Sequence, residues 1–259
     1  MINENPIGLF DSGIGGTSIW KEVHALMPYE NTIYLADSKN APYGLKSKDE
    51  IIALSCKNTE FLLENNCKII VVACNTATTN AIKELRAKYD LPFIGTEPAI
   101  KPAALQSKTQ KIGILATKGT LNSELFHKSV ANHPDVTIIE QIGHGLVQLI
   151  ENGDMNSAEM EELLKSYLNP MVEKNIDYLV LGCSHYPYLI PQIKKIIPPQ
   201  IKIIDSGEAV AKQTQKILEQ SHLLNLTNEK SSQIFYTNSE PEVLKTILGN
   251  CENVIYKNF

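Results

Sequence analysis

With 259 residues, of which 43% are hydrophobic and 20% charged, the chain has ordinary globular composition and room for one large domain or two smaller ones. A net charge of −5, with no dense run of Lys or Arg, argues against nucleic acid as a partner. No apolar stretch reaches the ~18 residues of a membrane span. Met1, Ile2, Asn3 and Glu4 carry neither a basic leader nor an apolar signal core. The five cysteines, Cys56, Cys67, Cys74, Cys183 and Cys251, form an odd, scattered set rather than a disulfide framework, so a reducing, cytoplasmic setting is expected.

Short apolar runs alternate with helical patterns along the whole chain. Ile7–Asp11 reads as a strand, and FDSGIGG (Phe10–Gly16) carries it into a helix. Its glycines allow a tight turn whose free N–H groups can hold an anion. The simpler reading is a capping turn with Asp11 or Ser12 as cap, and the motif does not match GxGxxG spacing. Thr32–Asp37 is a second strand. APYG (Ala41–Gly44) reads as a turn before a helix over Lys48–Glu64, or as a loop whose backbone and Tyr43 touch a ligand. KIIVVAC (Lys68–Cys74) is a strand running into NTATT and a helix over Thr78–Lys88. Strands are then expected at Phe93–Thr96, Lys111–Thr117, Val136–Gln141, Tyr178–Cys183, Ile201–Asp205, Gln233–Thr237 and Asn253–Tyr256. Ser157–Lys174 and Glu208–Gln220 are helical, and Leu146–Glu151 is amphipathic. Such alternation implies an α/β fold with mainly parallel sheets buried between helices.

Segments echo one another at an offset of a little over a hundred residues. PIGLFDS at Pro6 parallels KIGILAT at Lys111, and FIGTEPAI at Phe93 parallels IIDSGEAV at Ile203. Cys74 and Cys183 stand 109 positions apart, each at the end of an apolar strand. Two similar lobes follow. In parallel sheets, ligands bind beyond the carboxyl ends of the strands. The residues there are Asp11-Ser12, Asp37, Cys74-Asn75-Thr76, Thr117, Cys183-Ser184-His185 and Asp205-Ser206.

One strand-end cysteine is ordinarily a small buried hydrophobe. Two at matching positions, each before hydrogen-bonding residues at a helix start, point to reactive thiols with the pKa drawn from about 8.5 towards 7. His185 can accept or orient a proton. No CxxC pair or further close ligands accompany Cys183 and His185, so no metal is expected. Glu151 on its own is a solvated helix carboxylate. Arg86 is the only arginine, which leaves no bidentate clamp for a dicarboxylate. Backbone amides and the hydroxyls of Ser12, Thr76, Thr117 and Ser184 would have to hold such a ligand.

FDSGIGG, PYG, VACNTAT and LGCSHYP, in this order and at these intervals, make the chain resemble glutamate racemase, within the aspartate/glutamate racemase superfamily. The resemblance runs from Ile7 to at least Ser206. It implies cofactor-independent interconversion of L- and D-glutamate, supplying D-glutamate for peptidoglycan. By motif match it makes Cys74 and Cys183 the acid/base thiols, with Asp11 assisting near Cys74 and His185 and Glu151 assisting near Cys183. It places substrate contacts at Asp11, Ser12, Tyr43, Gly44, Asn75, Thr76, Thr117, Ser184 and His185. Position 184 is Ser where the family more often has Thr, which keeps the hydroxyl. Two pseudo-symmetric lobes are implied with the site in the cleft between them: 98–206, and a discontinuous lobe of 1–97 plus 207–259. Racemases of this type are often homodimers. An aspartate racemase, or a two-lobed amino-acid-binding protein without catalysis, would share much of this pattern.

Overall fold

The computed structural model describes residues 4–227 and 229–259. Among these residues ten strands form two parallel sheets. The first half of the chain supplies β1 (Ile7–Asp11), β2 (Thr32–Ala36), β3 (Ile69–Val72) and β4 (Phe93–Gly95). The next part supplies β5 (Lys111–Ala116), β6 (Thr137–Ile142), β7 (Tyr178–Gly182) and β8 (Lys202–Ile204), and the chain closes with β9 (Gln233–Thr237) and β10 (Val254–Tyr256). One sheet has the order β10-β9-β2-β1-β3-β4, the other β6-β5-β7-β8. Every registered pair is parallel. Both sheets therefore share one order over four strands, which is the duplication seen in the sequence. The first is extended beyond β2 by the two strands that have no echo.

Helices cover both faces, as near-continuous apolar strands require. In the first sheet Ile7, Leu9, Ile69 and Val71 point one way, into a core shared with α1 (Thr17–Leu26) and α10 (Gly207–Gln220). Their neighbours Phe10, Ile70 and Val72 point the other way, onto α2 (Lys48–Glu64) and α3 (Asn75–Lys88). The alternation is the period-two geometry of a strand buried on both sides. In the second sheet Ile112, Ile114 and Val180 meet α4 (Ile100–Gln106) and α6 (Glu124–Ala131). Leu115, Leu179 and Leu181 face α8 (Ala158–Glu173), in the same core that holds Ile7 and Leu9. The lobes thus share one continuous apolar core, and this fixes how their strand ends confront each other.

All ten expected strands are present within two residues of their expected ends. Two local features differ from expectation. Helix α3 starts at Asn75 rather than Thr78 because Cys74 itself takes the cap position, its sulfur accepting the Ala77 N–H at 3.5 Å. After Cys183 there is no long helix: a 3-10 turn at Tyr186–Leu189 precedes the short α9 (Ile190–Ile196), each with a proline near its start.

Candidate active site

The carboxyl ends of β1, β3, β5 and β7 converge, and Asp11 lies where they meet. It is fully buried. One oxygen, Oδ2, accepts the N–H groups of Gly13 at 3.2 Å and Gly16 at 3.0 Å. The other, Oδ1, accepts the Ser184 hydroxyl from the second lobe at 3.0 Å. The FDSGIGG turn therefore does hold an anion, but the anion belongs to the protein. Gly16, not Asp11 or Ser12, occupies the cap position of α1, with no side-chain cap. Burial raises the Asp11 pKa above the usual aspartate value, against the opposing pull of His185 and the Gly16 N–H.

Cys74 is 3% exposed, and its thiol donates to the Ser12 hydroxyl at 3.6 Å. The expected depression of its pKa is not found. Burial, with the Asp11 carboxylate next in weight, holds this thiol well above its ordinary value, and the helix-start N–H of Ala77 offsets only part of that. Desolvation outweighs the helix terminus because the site is closed to water. The surroundings of Cys74 in this closed arrangement therefore favour the thiol over the thiolate.

Cys183 is 6% exposed, and its sulfur lies 3.9 Å from His185 Nδ1. His185 Nε2 meets Glu151 Oε1 at 2.5 Å, and Nδ1 lies 3.8 Å from Asp11 Oδ2. Burial works against protonation of this imidazole, yet Asp11, the Cys183 sulfur and Glu151 together hold its pKa well above the ordinary histidine value. Glu151 ends α7 (Leu146–Glu151). Its carboxylate reaches into the first lobe, accepting the Ile14 N–H at 2.7 Å through Oε1 and the Ser38 hydroxyl at 2.7 Å through Oε2. Two glycines of the turn permit this approach: a Cβ on Gly13 would lie 1.9 Å from Glu151 Oε1, and one on Gly15 would lie 2.1 Å from His185 Nδ1. That is why the motif needs glycine there.

Around these groups lie the remaining expected residues. Thr76 and Thr117 share a hydroxyl contact at 2.8 Å across the lobes, joined by Thr120 at 3.3 Å and 3.0 Å respectively. Gly44 packs against Thr117. The Asn75 side-chain amide is buried with its nitrogen unpartnered. Tyr43 is buried, with its hydroxyl committed to Asp37. The structure thus brings the expected site residues to one seam, whereas Asp205 and Ser206, at the end of β8, are taken up elsewhere, Asp205 accepting the Gly207 N–H and Ser206 donating to Glu97 O. Arg86 stays outside it, exposed and donating to Phe93 O at 2.9 Å. Four participants were not assigned from sequence: Ser38 on Glu151, Thr120 among the threonines, Ser18, whose hydroxyl donates to Ser184 O at 2.8 Å, and Asn238 on Asp37. Thr120 follows Thr117 at helical spacing and could have been found; the others depend on contacts made far along the chain.

A cavity of about 60 Å³ opens at the seam beside Gly44, Thr117 and His144. A larger one, about 650 Å³, lies between α3, β4 and α10, lined by Ile82, Arg86, Phe93, Glu97 and Ile217, and shares no residue with the site. Among the described residues no helix is long and apolar enough to cross a membrane, and no cluster of His, Cys, Asp and Glu is arranged to hold a metal.

Fold and site define a class: a duplicated α/β protein with one thiol at the equivalent strand end of each sheet, joined through a shared buried carboxylate. The chain belongs to the Asp/Glu/Hydantoin racemase family, whose model matches residues 17–214. It is 42% identical to a glutamate racemase of Herpetosiphon aurantiacus over 93% of this chain and 95% of that protein. A crystal structure of the Bacillus anthracis glutamate racemase isoform RacE1 superposes with a TM-score of 0.89 at 29% identity, covering 99% of this chain and 98% of that one. Escherichia coli glutamate racemase, solved with L-glutamate and the activator UDP-MurNAc-ala, superposes with a TM-score of 0.86 at 31% identity and 98% coverage of both chains. The resemblance drawn from the motifs holds for family and fold.

Proposed function

We propose that this chain interconverts L- and D-glutamate without a cofactor, Cys74 and Cys183 acting as acid and base on opposite faces of the α-carbon. One observation carries this reading: equivalent strands of the duplicated sheets end in thiols whose surroundings meet at Asp11. Inversion needs removal of the proton from one face and its return from the other. One thiolate takes the α-hydrogen as a proton, the C–H pair stays on carbon and delocalises into the carboxylate, and the opposite thiol delivers its own proton. The thiol and thiolate have then exchanged places. Asp11 serves the Cys74 face, and His185 with Glu151 serves the Cys183 face.

Ser12, Asn75, Thr76, Thr117, Ser184 and the backbone of Tyr43–Gly44 hold the substrate. The unpartnered Asn75 amide nitrogen is a ready donor to a carboxylate. Donors already in place stabilise the carbanion without having to reorganise. Cys74 and Cys183 are both buried, so the lobes part to admit glutamate and close to exclude solvent. By the same reading D-glutamate passes to peptidoglycan synthesis in the cytoplasm, and the protein works as a homodimer. The lobes divide as 98–206 and 1–97 plus 207–259, a division supported by β9 and β10 lying in the first sheet.

The test follows the α-proton by NMR in deuterated water, from each enantiomer of glutamate and, in parallel, of aspartate. Cys74→Ala and Cys183→Ala each abolish racemisation with the fold retained. Two-way turnover in either variant refutes the two-thiol reading. Faster turnover of aspartate reassigns the substrate, and binding without exchange in the unsubstituted protein removes the enzymatic reading.

A further inference from the structure

Asp37 follows β2 and is buried. Its Oδ2 accepts the Tyr43 hydroxyl at 2.5 Å, and its Oδ1 accepts the side-chain amides of Asn40 at 2.8 Å and Asn238 at 2.5 Å. Asn238 stands immediately after β9. Besides donating to Asp37, it accepts the Lys39 N–H at 2.9 Å. One amide thus clasps the segment leaving β2 at two points, and the Asp37 N–H is itself tied to Asp11 O at 3.1 Å.

This clasp fixes what the next loop can offer. The Tyr43 hydroxyl donates to Asp37 and accepts from Asn58 Nδ2 at 3.1 Å. Burial, Asp37 and Cys74 all push its pKa well above the usual phenol value. It keeps its one proton and spends it on Asp37, so the hydroxyl has none to give a ligand. The phenol is an anchor, and the loop meets a ligand through its backbone at Tyr43–Gly44. Gly44 is held there tightly: a Cβ on it would lie 2.8 Å from Thr117 Cβ. Among the described residues the second sheet ends at β6 and has no strand in the place of β9, so there the clasp belongs to the first lobe alone.

We propose that Asp37 and Asn238 are positioning residues for the Tyr43–Gly44 substrate loop, so that the strand appended after the duplicated lobes sets the affinity of the site for its amino acid. The inference rests on the reading of Tyr43–Gly44 as a substrate contact. A loop ordered in advance binds without the cost of ordering it. Losing the clasp therefore weakens binding and leaves the proton-transfer groups in place.

The test compares Asn238→Ala, Tyr43→Phe and the double variant, measuring KM and kcat for glutamate in both directions together with thermal melting. Each single change raises KM roughly tenfold, the weight of one hydrogen bond to a charged group, with kcat changed by less than about threefold. Because both act through Asp37, the double variant is no worse than the poorer single one. An unchanged KM in Asn238→Ala, or effects that multiply in the double variant, overturns the proposal; a purely structural role would lower the melting temperature without that non-additivity. Should Asn238→Ala fail to fold, Asn238→Ser keeps a short donor and carries the same comparison. Gly44→Ala separates the two readings. An unchanged KM there removes the substrate loop itself, whereas a raised KM there beside an unchanged KM in Asn238→Ala removes only the positioning role.

Discussion

Replacing Gly15 by Ala tests how closely the two lobes are fitted at the reacting groups. The backbone of Gly15 lies outside the left-handed region, so alanine meets no conformational penalty. Its methyl would stand 2.1 Å from His185 Nδ1 and 2.3 Å from Cγ, where real Cβ atoms do not come within 3.0 Å. Imidazole and backbone must therefore separate by about 1 Å. The ring cannot simply swing aside, because it is 1% exposed and Nε2 is held at 2.5 Å by Glu151. Separation stretches the hydrogen bond from the Gly15 N–H to His185 Nε2 at 3.3 Å and shifts the ring against the Cys183 sulfur, 3.9 Å from Nδ1. A misplacement of about 1 Å at reacting groups costs about a hundredfold in rate, or ~2.7 kcal/mol of barrier. The assay is kcat in both directions, read by circular dichroism of the glutamate enantiomers, beside a thermal melt. Gly15→Ala that folds and turns over within about threefold of the unsubstituted protein would refute the view that His185 acts where the structure places it.

Glu151→Gln preserves shape but removes the negative charge next to His185, a contact of about 1.5–3 kcal/mol. The imidazole should then titrate at lower pH, as followed by NMR of its ring protons; an unshifted titration contradicts the pairing. Because the folded-state pKa of His185 is raised, the stability it contributes is fully present below about pH 6.5 and is lost as pH rises through the folded value. The melting advantage over Glu151→Gln is therefore greatest near about pH 6 and shrinks in alkali. Far from the site, Lys68 and Glu30 form a buried ion pair at 2.6 Å. Lys68→Met leaves the Glu30 carboxylate buried without its cation, at a cost of about 3–5 kcal/mol, or a melting point lower by about 10 °C. KM and kcat stay unchanged in that variant. A melting point within about 2 °C of the parent would show that Glu30 finds another partner or water.

The strands were legible because they are buried on both faces, so each reads as an unbroken apolar run such as Ile69–Val72 or Tyr178–Gly182. The shared strand order was legible as an echo in sequence. The start of α3 was not, because cysteine is not a usual cap and the ordinary signals lie downstream of it. The direction of the Cys74 pKa was missed for a related reason. A helix terminus can be inferred from neighbouring residues, whereas the desolvation that outweighs it comes from packing against residues far along the chain, Phe10, Leu35 and Tyr43 among them. Ser38 and Asn238 were invisible for the same cause. Their contacts span 113 and 201 positions, and nothing local marks either residue.

What the duplication makes alike, the contacts then make different. Both thiols sit at equivalent strand ends, but Cys74 caps a helix beside a buried carboxylate, while Cys183 precedes a short turn beside an imidazole. On the proposed roles, each face of the substrate needs a proton in hand when its turn comes to act as acid. The Cys74 face keeps that proton on sulfur, because burial and Asp11 disfavour the thiolate. On the Cys183 face Asp11, the Cys183 sulfur and Glu151 favour protonation of His185 against burial, so the imidazole can resupply that sulfur with a proton. Asp11 does both jobs, opposing charge on one side and drawing it on the other, and it can do so only because its own surroundings are shared between the lobes. A racemase has to treat mirror-image substrates with comparable ease, but its side chains are not mirror images. The geometry here answers that need with two different proton holders balanced on one carboxylate, so a substitution at Asp11 should disturb proton transfer at both faces of the substrate, where one at His185 disturbs chiefly the Cys183 face, each slowing turnover from either enantiomer.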